Sequence, residues 1–423
     1  MRKYLFLLMA TCLLADDKAI QLESFDHVWK TVSEKHWKPA LLEKLPDGSS
    51  WDSLRAPYRD RVAKASSQQE VRTIMREMLG KIGKSHYAIS GFDGPSSKLA
   101  RQGGGVAPDF RVALVDDRVL VTRVKSGGSA DAAGVRVGWE LRKVAGTALA
   151  PVVAELKAKA ATTLHFDLRM HQLLTTQISG YSNQKLDYEF AAKTVSLEIP
   201  KADGSQGFGY VQGMNVDREF RKAGPGQDIG YFRIEMFLDV VRVLPQFEQA
   251  IKDCATCKGF VLDLRGNPGG VAIMANALAG WFVKESGVKL GTMYQRGVDL
   301  NFIIVPRLNG FRGPLAVLVD GASASTSEIL AGGLQDLKRA RIFGTRSAGA
   351  ALPSVIESLP NGDFFQYAIA NYVSESGKEL EGHGVVPDVA VDHTRAALEA
   401  GKDRPLDAAL DWIYATAATS THP

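Results

Sequence analysis

The sequence predicts an α/β fold in which helices bury a sheet, preceded by a helical segment and a small β-rich region. The main observation is that apolar runs of strand length alternate with helical patterns from about residue 230 onward. A second is the helical spacing of apolar residues between positions 20 and 79, and a third is the series of short β-type segments after it. Alternation of strands and helices is typical of α/β domains. The length of 423 residues is enough for two or three domains with separate cores.

Composition and charge exclude some classes of partner. The chain is 45% hydrophobic and 23% charged, which is ordinary for a soluble globular protein. The formal net charge of +4 is small at this length. The charge therefore predicts neither nucleic-acid binding nor attraction to a membrane surface.

The first 16 residues have the layout of a secretory signal peptide. Arg2 and Lys3 precede an apolar run that ends at Ala15, and acidic residues follow it directly. This run is too short to span a bilayer. We predict a signal peptide over residues 1–16 and an exported protein of the periplasm, cell envelope or exterior, without a transmembrane segment in the mature chain. A buried N-terminal helix is the alternative, and the residues before Cys12 make a poor lipoprotein box.

Only three cysteines occur, and two of them form a Cys254-Ala255-Thr256-Cys257 motif. Such a pair is either redox-active or half of a zinc site. No second pair and no histidine at suitable spacing accompany it, so we predict no metal site. A small disulfide and two incidental thiols are both compatible with an exported protein.

Residues 17–98 are predicted to be a helical segment. Phe25, Val28, Trp29 and Val32 follow the i, i+3, i+4, i+7 pattern of one helix face. Near the end of the segment stands Ser85-His86, which fits a general base beside an orienting neighbour. The chain has eight histidines, however, and a lone histidine is more often a surface or satisfied core residue.

Residues 99–165 contain Gly105-Val106, an Ala-rich turn that ends at Val135, and Gly138 before a strand. With these features the region resembles a PDZ domain. PDZ domains bind an extended peptide by adding it to a sheet, and backbone N–H groups receive its terminal carboxylate. The resemblance implies that Gly104, Gly105 and Val106 form the carboxylate loop. A β domain that serves only as a spacer is the alternative.

Residues 166–416 are predicted to form the α/β domain, after a β-rich connection up to about residue 225. Its most informative unit is the apolar run Leu315–Val319, the small-residue turn Asp320–Ser325 and a helical pattern from Ile329. A turn of this kind puts a side chain and free N–H groups at a helix N-terminus, where a developing oxyanion is stabilised. Serine and glycine are also simply what tight turns use.

A glycine-rich segment, Asp263–Gly270, follows another apolar strand-length run. Its glycines allow close backbone approach, so their N–H groups can converge on an anion. It is not a phosphate-binding P-loop, because no Gly-Lys-Ser/Thr follows. Asp263 and Arg265 are predicted to pair structurally.

These motifs together resemble the C-terminal processing peptidases, serine peptidase family S41. The matching segments are Leu264–Gly270, Ser323–Ile329, Gly344–Gly349 and Leu380–Asp388. The similarity covers nearly the whole mature chain. It implies a crotonase-like (ClpP/crotonase) α/β catalytic domain with an inserted PDZ-like β domain.

The resemblance assigns roles to residues. It implies that Ser325 is the nucleophile and that the N–H groups of Thr326 and Gly269 form the oxyanion hole. Many members use a lysine base one position beyond Gly349, but this chain has Ala350 there.

The tricorn-like branch of the family uses a Ser-His pair and a later glutamate instead of the lysine. In this sequence, Ser85-His86 and Glu381 match those elements. His86 is therefore predicted to be the general base, with Ser85 and Glu381 orienting its imidazole as in a serine–histidine–acid triad. His383 is the rival base.

The predicted function is that of an exported serine endopeptidase acting on unfolded proteins or C-terminal tails through an acyl-enzyme. The partner is a polypeptide, no metal or organic cofactor is implied, and the oligomeric state is open. The alternative is a non-catalytic protein that binds a peptide or a small apolar ligand, as retinoid-binding relatives of this family do.

Overall fold

The computed structural model describes residues 2–91, 104–160, 165–201 and 216–419, with side chains from residue 17 onward. The predicted boundary at residues 98 and 99 lies outside the described residues. The helices are α1 (Arg2–Lys35), α2 (Ala40–Glu43), α3 (Trp51–Lys64), α4 (Gln68–Gly80), α5 (Ser129–Ala132), α6 (Leu149–Ala158), α7 (Phe166–Ile178), α8 (Val240–Asp253), α9 (Ile273–Ala279), α10 (Thr326–Asp336), α11 (Arg395–Glu399) and α12 (Arg404–Thr419).

The strands lie among these helices along the chain. They are β1 (Ala88–Ser90), β2 (Gly104–Val106), β3 (Phe110–Val115), β4 (Arg118–Val124), β5 (Leu141–Val144), β6 (Thr147–Ala148), β7 (Gly180–Tyr181), β8 (Lys185–Phe190), β9 (Thr194–Glu198), β10 (Arg218–Ala223), β11 (Ile229–Ile234), β12 (Gly259–Asp263), β13 (Lys289–Gln295), β14 (Leu300–Ile303), β15 (Leu315–Val319), β16 (Arg341–Gly344), β17 (Ser354–Ser358), β18 (Phe364–Ala368), β19 (Ala370–Ser374) and β20 (Val389–Ala390).

One compact unit contains the predicted helical segment. It consists of Met1–Ser97, Met293–Leu300 and Leu352–Tyr372. Its helices α1, α3 and α4 share a core with the antiparallel sheet β1-β18-β17. The hydroxyls of Ser50 and Ser67 cap α3 and α4 by accepting hydrogen bonds from backbone N–H groups in the first turn. The predicted helical character is confirmed, whereas β18, expected within the α/β alternation, pairs with β1 instead.

The second compact unit contains the α/β fold. It consists of Lys98–Thr292, Asn301–Ala351 and Val373–Pro423. Six strands form a sheet in the order β10-β11-β12-β15-β16-β20, in which all neighbours are parallel except β10 and β11. Every residue of β12 and β15 is buried, as expected for parallel strands covered on both faces. The loops that follow these two strands therefore lie at the same edge of the sheet.

The β-rich region extends beyond its predicted end at residue 165. A single core runs from Val106 in β2 to Ile199 after β9, and it includes Met170, Leu174 and Ile178 of α7. The strands of this region form three small sheets, β2-β7, β3-β4 and β6-β5-β8-β9. Helix α7 and strands β7–β9, predicted to be a connection, thus complete the apolar core of the β domain.

The N-terminal segment continues without a break into the rest of the chain as helix α1. Among the described residues, no helix combines the length and the apolar character that a membrane span requires.

Candidate active site

The candidate nucleophile lies in a strained turn between β15 and α10. Ser325 directly precedes Thr326, the first residue of α10, and has φ 53° and ψ −117°, which non-glycine residues rarely adopt. Asp320 holds the start of the turn, because its Oδ1 accepts hydrogen bonds from the N–H groups of Gly266 (2.9 Å) and Ala322 (3.0 Å). The predicted strand–turn–helix context of Ser325 is therefore present.

Gly269 lies directly against Ser325. A Cβ atom placed on Gly269 would be 2.6 Å from the Cβ of Ser325 and 3.0 Å from the nitrogen of Thr326. Gly269 also has φ +99°, which favours glycine. No other residue type fits this position without displacing the candidate nucleophile.

The backbone around Gly269 corrects one detail of the predicted oxyanion hole. The N–H of Gly269 donates to Oδ1 of Asn267 at 2.9 Å, so it is already engaged. The oxygen of Gly269 accepts from the N–H of Phe237 at 2.8 Å. Because C=O and N–H point in opposite directions across a trans peptide, the N–H of Gly270 faces away from Phe237. The sequence predicted neither the bond from the Gly269 N–H to Asn267 nor the direction of the Gly270 N–H.

Thr326 occupies the position at which a helix offers unpaired N–H groups. It is fully buried, and its Oγ1 donates to the oxygen of Gly270 at 2.9 Å. This bond joins the start of α10 to the glycine-rich segment after β12. The N-terminus of α10 and the peptide between Gly269 and Gly270 therefore adjoin each other.

Glu328 is a buried carboxylate for which the sequence predicted no role. It is fully buried, and its Oε2 accepts the N–H of Ser325 (3.1 Å) and that of Ala350 (2.9 Å). Its Oε1 accepts from the Ser347 hydroxyl (2.5 Å) and from the N–H of Gly349 (2.8 Å). Burial raises the pKa of Glu328 to about 7, although these donors oppose the rise. The Ser-x-x-Glu spacing of a capping box was the sequence signal for this contact.

Ala350 stands where many family members have the lysine base. It is buried, and its oxygen accepts the N–H of Ser325 at 2.8 Å. The position thus adjoins the candidate nucleophile, but the methyl side chain cannot accept a proton.

Glu381 and His383 lie in the same compact unit as Ser325. Glu381 is buried, and its Oε2 accepts the N–H of Ala351 at 3.1 Å. His383 is exposed, and its ring Nδ1 lies 3.1 Å from the backbone oxygen of Glu381. Glu381 is therefore one residue away, through Ala351, from the segment that binds Ser325.

Ser85 and His86 lie in the other unit and contact each other as predicted. The hydroxyl of Ser85, which is buried, is 2.7 Å from Nδ1 of His86. His86 has φ 61°, so the turn that carries its side chain is itself unusual. The predicted meeting of His86 with Ser325 and Glu381 stays a prediction.

Asp263 and Arg265 have the structural role that was predicted. Nε of Arg265 donates to Asp263 at 3.0 Å, and the guanidinium also pairs with Asp403. Burial alone would raise the pKa of Asp263, but Arg265 and Arg233 hold it well below its usual range. These charges brace the end of β12, from which the glycine-rich segment begins.

The predicted carboxylate loop of the β domain is strand β2. Gly104 and Val106 pair with Tyr181 and Gly180 of β7, and Gly105 between them has φ +77°. The side chain of Val106 is fully buried in the core of this domain. Val106 therefore packs in the core of this domain.

Cys254 and Cys257 form a disulfide, one of the two alternatives left open by the sequence. It closes the turn that follows α8, and Cys254 is fully buried. Among the described residues, no group of three or more His, Cys, Asp or Glu side chains is arranged to hold a metal ion.

Comparisons with known proteins agree with this architecture. The family model described as "Peptidase family S41" matches residues 228–391, and that of the "Tricorn protease C1 domain" matches residues 19–80. The carboxy-terminal-processing protease of Bartonella bacilliformis is 34% identical over 177 residues, which are 39% of each chain. The carboxyl-terminal-processing protease of a Synechocystis species is 26% identical over 407 residues, 91% of this chain and 85% of the relative.

A solved structure has the same fold. It is that of a photosystem II D1 C-terminal processing protease, which superposes with a TM-score of 0.54 at 22% identity. The match covers 88% of this chain and 93% of the other. The matched segment of residues 228–391 contains the turn of Ser325 and the glycine-rich loop, and it identifies this part of the chain as a peptidase family S41 domain.

Proposed function

We propose that this chain is an exported serine endopeptidase that cleaves unfolded proteins or C-terminal tails through an acyl-enzyme on Ser325. The observation that carries the proposal is the position of Ser325, strained at the N-terminus of α10 and pressed against Gly269. Strained serines at strand-to-helix turns are typical of hydrolase nucleophiles, because the geometry exposes the hydroxyl beside helix N–H donors.

His86 is the proposed general base. A serine hydroxyl needs a base near neutral pH, and Ala350 cannot supply one. Nδ1 of His86 lies 2.7 Å from the Ser85 hydroxyl, and we assign Nε2 of the same ring as the atom that takes the proton of Ser325. The imidazolium would then protonate the leaving amine, and the same base would activate the water that releases the acyl group.

Glu381 is the proposed stabiliser of the imidazolium. It is a buried acid joined through the N–H of Ala351 to the segment that binds Ser325. A carboxylate beside a histidine base orients the ring and stabilises its charge during the reaction. His383, which is exposed, is the weaker candidate for the base.

The proposed oxyanion hole consists of the N–H groups of Thr326 and Gly270. Thr326 begins α10, where the helix dipole favours negative charge. Gly270 replaces Gly269, whose N–H is bound to Asn267. In the 269–270 peptide, the N–H lies opposite the oxygen that Phe237 holds, and Gly269 itself adjoins the Ser325 side chain.

The β domain is the proposed site for a substrate C-terminus. Strand β2, with Gly104–Val106, would pair with an extended tail while its N–H groups receive the carboxylate. Export is proposed from the charged and apolar pattern of residues 1–16. No metal or organic cofactor is needed for this chemistry.

The test measures cleavage of an unfolded substrate, a reduced and alkylated protein. It compares the parent with Ser325→Ala, His86→Ala and His383→Ala. We expect the first two variants to lose at least ~1,000-fold in kcat/KM, as triad members do, and His383→Ala to stay within about threefold of the parent. Equal cleavage by the parent and Ser325→Ala, including none by either, would overturn the mechanism and favour a binding protein. Peptides with free and amidated C-termini test the role of the β domain, because amidation should raise KM.

A further inference from the structure

His36 is a buried histidine that the proposed mechanism does not use. It follows α1 directly, its N–H donates to the oxygen of Val32 at 3.0 Å, and its side chain is almost fully buried. Nδ1 accepts the N–H of Lys38 at 3.1 Å, so the neutral ring carries its proton on Nε2. Within the described part of the chain, that Nε2 atom has no hydrogen-bond partner. A buried donor without an acceptor is unfavourable, so filling space does not explain a histidine here.

The ring of His36 lies in an aromatic stack beside the proposed base. Its plane is inclined by 15° to the ring of Trp37, with centroids 4.1 Å apart, and by 12° to the ring of Tyr87, with centroids 6.1 Å apart. Tyr87 directly follows His86, whose left-handed backbone and contact with Ser85 define the turn. The stack therefore supports one end of the turn that carries His86.

Only the uncharged form of His36 fits this position. A second proton would occupy Nδ1, where the N–H of Lys38 already points. Burial lowers the pKa of His36 to about 4, and the positive charges of Arg296 and Lys84 contribute. The C-terminal end of α1 would favour a cation, but this dipole effect is smaller than the effect of burial.

We propose that His36 is a positioning residue, which holds the Ser85–His86 turn in place by stacking on Tyr87 and releases it when the imidazole is protonated. The assignment rests on the proposed role of His86. It adds a neutral imidazole that acts through its neighbour and does not touch the substrate.

The sign of the pH effect follows from the two states of the Ser85–His86 turn. In the closed state His36 is buried and stacks on Tyr87, and in the open state the turn is released and His36 is exposed. An exposed histidine has a pKa of about 6.5, whereas that of the buried His36 is about 4. The closed turn is therefore fully stabilised above pH 6.5 and loses this stabilisation as the pH falls toward 4. In that interval the opening equilibrium rises by up to about tenfold per pH unit.

Two variants separate the ring from the hydrogen bond. His36→Phe keeps the aromatic stack, and His36→Asn keeps an acceptor for the Lys38 N–H. With kcat and KM measured at pH 8, we expect the kcat of His36→Phe to remain within about threefold of that of the parent. We expect His36→Asn to lose at least tenfold in kcat with little change in KM. His27→Asn, which removes an exposed histidine of α1, is the matched control and should leave kcat unchanged. Folded His36→Asn with the parent's kcat would overturn the proposal.

Hydrogen exchange of the Ser85–Tyr87 amides, corrected for intrinsic rates, provides a readout that is independent of catalysis. Protection in the parent should fall by up to tenfold per unit between pH 6.5 and 4, and His36→Phe should lack this dependence. The proposal would be overturned if the parent and His36→Phe had identical pH profiles of protection, even if His36→Asn fails to fold. If the parent has no Ser325-dependent activity, the proposed function fails, whereas the exchange experiment still tests the support of the turn.

Discussion

Glu328 binds the backbone N–H of Ser325, at 3.1 Å, with the same carboxylate oxygen that binds the N–H of Ala350, at 2.9 Å. One buried side chain thus joins the candidate nucleophile to the 347–350 segment. Its other oxygen accepts from Ser347, whose hydroxyl in turn accepts the N–H of Val385 at 2.6 Å. Because the hydroxyl proton of Ser347 must then go to Glu328, all four partners are donors and match an ionised carboxylate.

Glu328→Gln should disrupt this network with almost no change in volume. The amide would present an NH2 group to N–H donors, and bonds to a charged group contribute about 1.5–3 kcal/mol each. We expect kcat/KM to fall by roughly 10- to 100-fold with the overall fold retained by circular dichroism. Glu399→Gln, at an exposed glutamate of α11, is the control and should match the parent. An equally active, folded Glu328→Gln would show that the network is not needed.

The pH dependence should reveal the same group. Burial raises the pKa of Glu328 to about 7, so the carboxylate that the network requires forms as the pH rises through that value. A histidine base, ordinarily near a pKa of about 6.5, loses its proton in the same range. We expect log kcat/KM to rise with a slope approaching two below about pH 6. Glu328→Gln should reduce that slope to one, and an unchanged slope in the variant would contradict the assignment.

The contribution of Glu328 to the free energy of folding depends on pH in the opposite direction to its predicted contribution to kcat/KM. Its folded-state pKa lies above the ordinary glutamate value of 4.5, so the folded form binds the proton more tightly than the unfolded form. This contribution favours folding below pH 4.5 and is lost as the pH rises to about 7. Acid therefore weakens the active-site network without weakening the contribution of Glu328 to overall stability.

Gly269→Ala should disable the site by direct contact. Its Cβ would lie 2.6 Å from that of Ser325, and the backbone has φ +99°. A displacement of the nucleophile by about 1 Å costs on the order of 100-fold in rate. Gly287→Ala separates this clash from backbone strain, because Gly287 has φ +80° and open space around the added atom. We expect the Gly287 variant to retain the parent's kcat/KM; a similar loss in both would mean that the contact with Ser325 is not the cause.

The sequence was sufficient for the elements whose signal is local. The unbroken apolar run Leu315–Val319 and the small residues after it predicted the turn of Ser325, because burial on both faces and helix initiation leave marks in neighbouring residues. The glycine-rich segment was predicted for the same reason. The direction in which a single backbone N–H points leaves no such pattern in the neighbouring residues. Gly269 and Gly270 have the same side chain, and only the bonds to Asn267 and Phe237 distinguish them.

Contacts between distant segments were the main features that sequence patterns missed. Strand β18 has the apolar character of any buried strand, and nothing local states that it pairs with β1, more than 270 residues earlier. Helix α7 likewise looked like part of a connection, although its apolar face completes the core of the β domain. Such pairings depend on the fold as a whole, which one sequence does not encode in a short window.

Arg72 and Asp363 form a buried ion pair, and removing only one of the two charges should destabilise their unit. Their side chains are 2% and 1% exposed, and Nε of Arg72 lies 3.0 Å from each carboxylate oxygen. Removing one partner leaves a buried charge, which costs about 3–5 kcal/mol. Arg72→Met should therefore lower the melting temperature markedly, and Arg72→Met with Asp363→Leu should recover part of the loss. Thermal unfolding of the two variants tests this, and a double variant less stable than Arg72→Met would contradict it.

The disulfide of Cys254 and Cys257 should contribute little to stability and nothing to the chemistry. The two cysteines are three positions apart, so the loop they close is short. For a loop of this size, the chain-entropy relation gives about 2 kcal/mol. The pair also follows the C-terminal end of α8, where the helix dipole disfavours a reactive thiolate.

Replacing both cysteines with alanine should lower the melting temperature by a few degrees and leave kcat/KM at 25 °C within about twofold. A reductant should reproduce the shift in the parent and not in the variant, whereas a large loss of activity would assign the disulfide a part in the reaction.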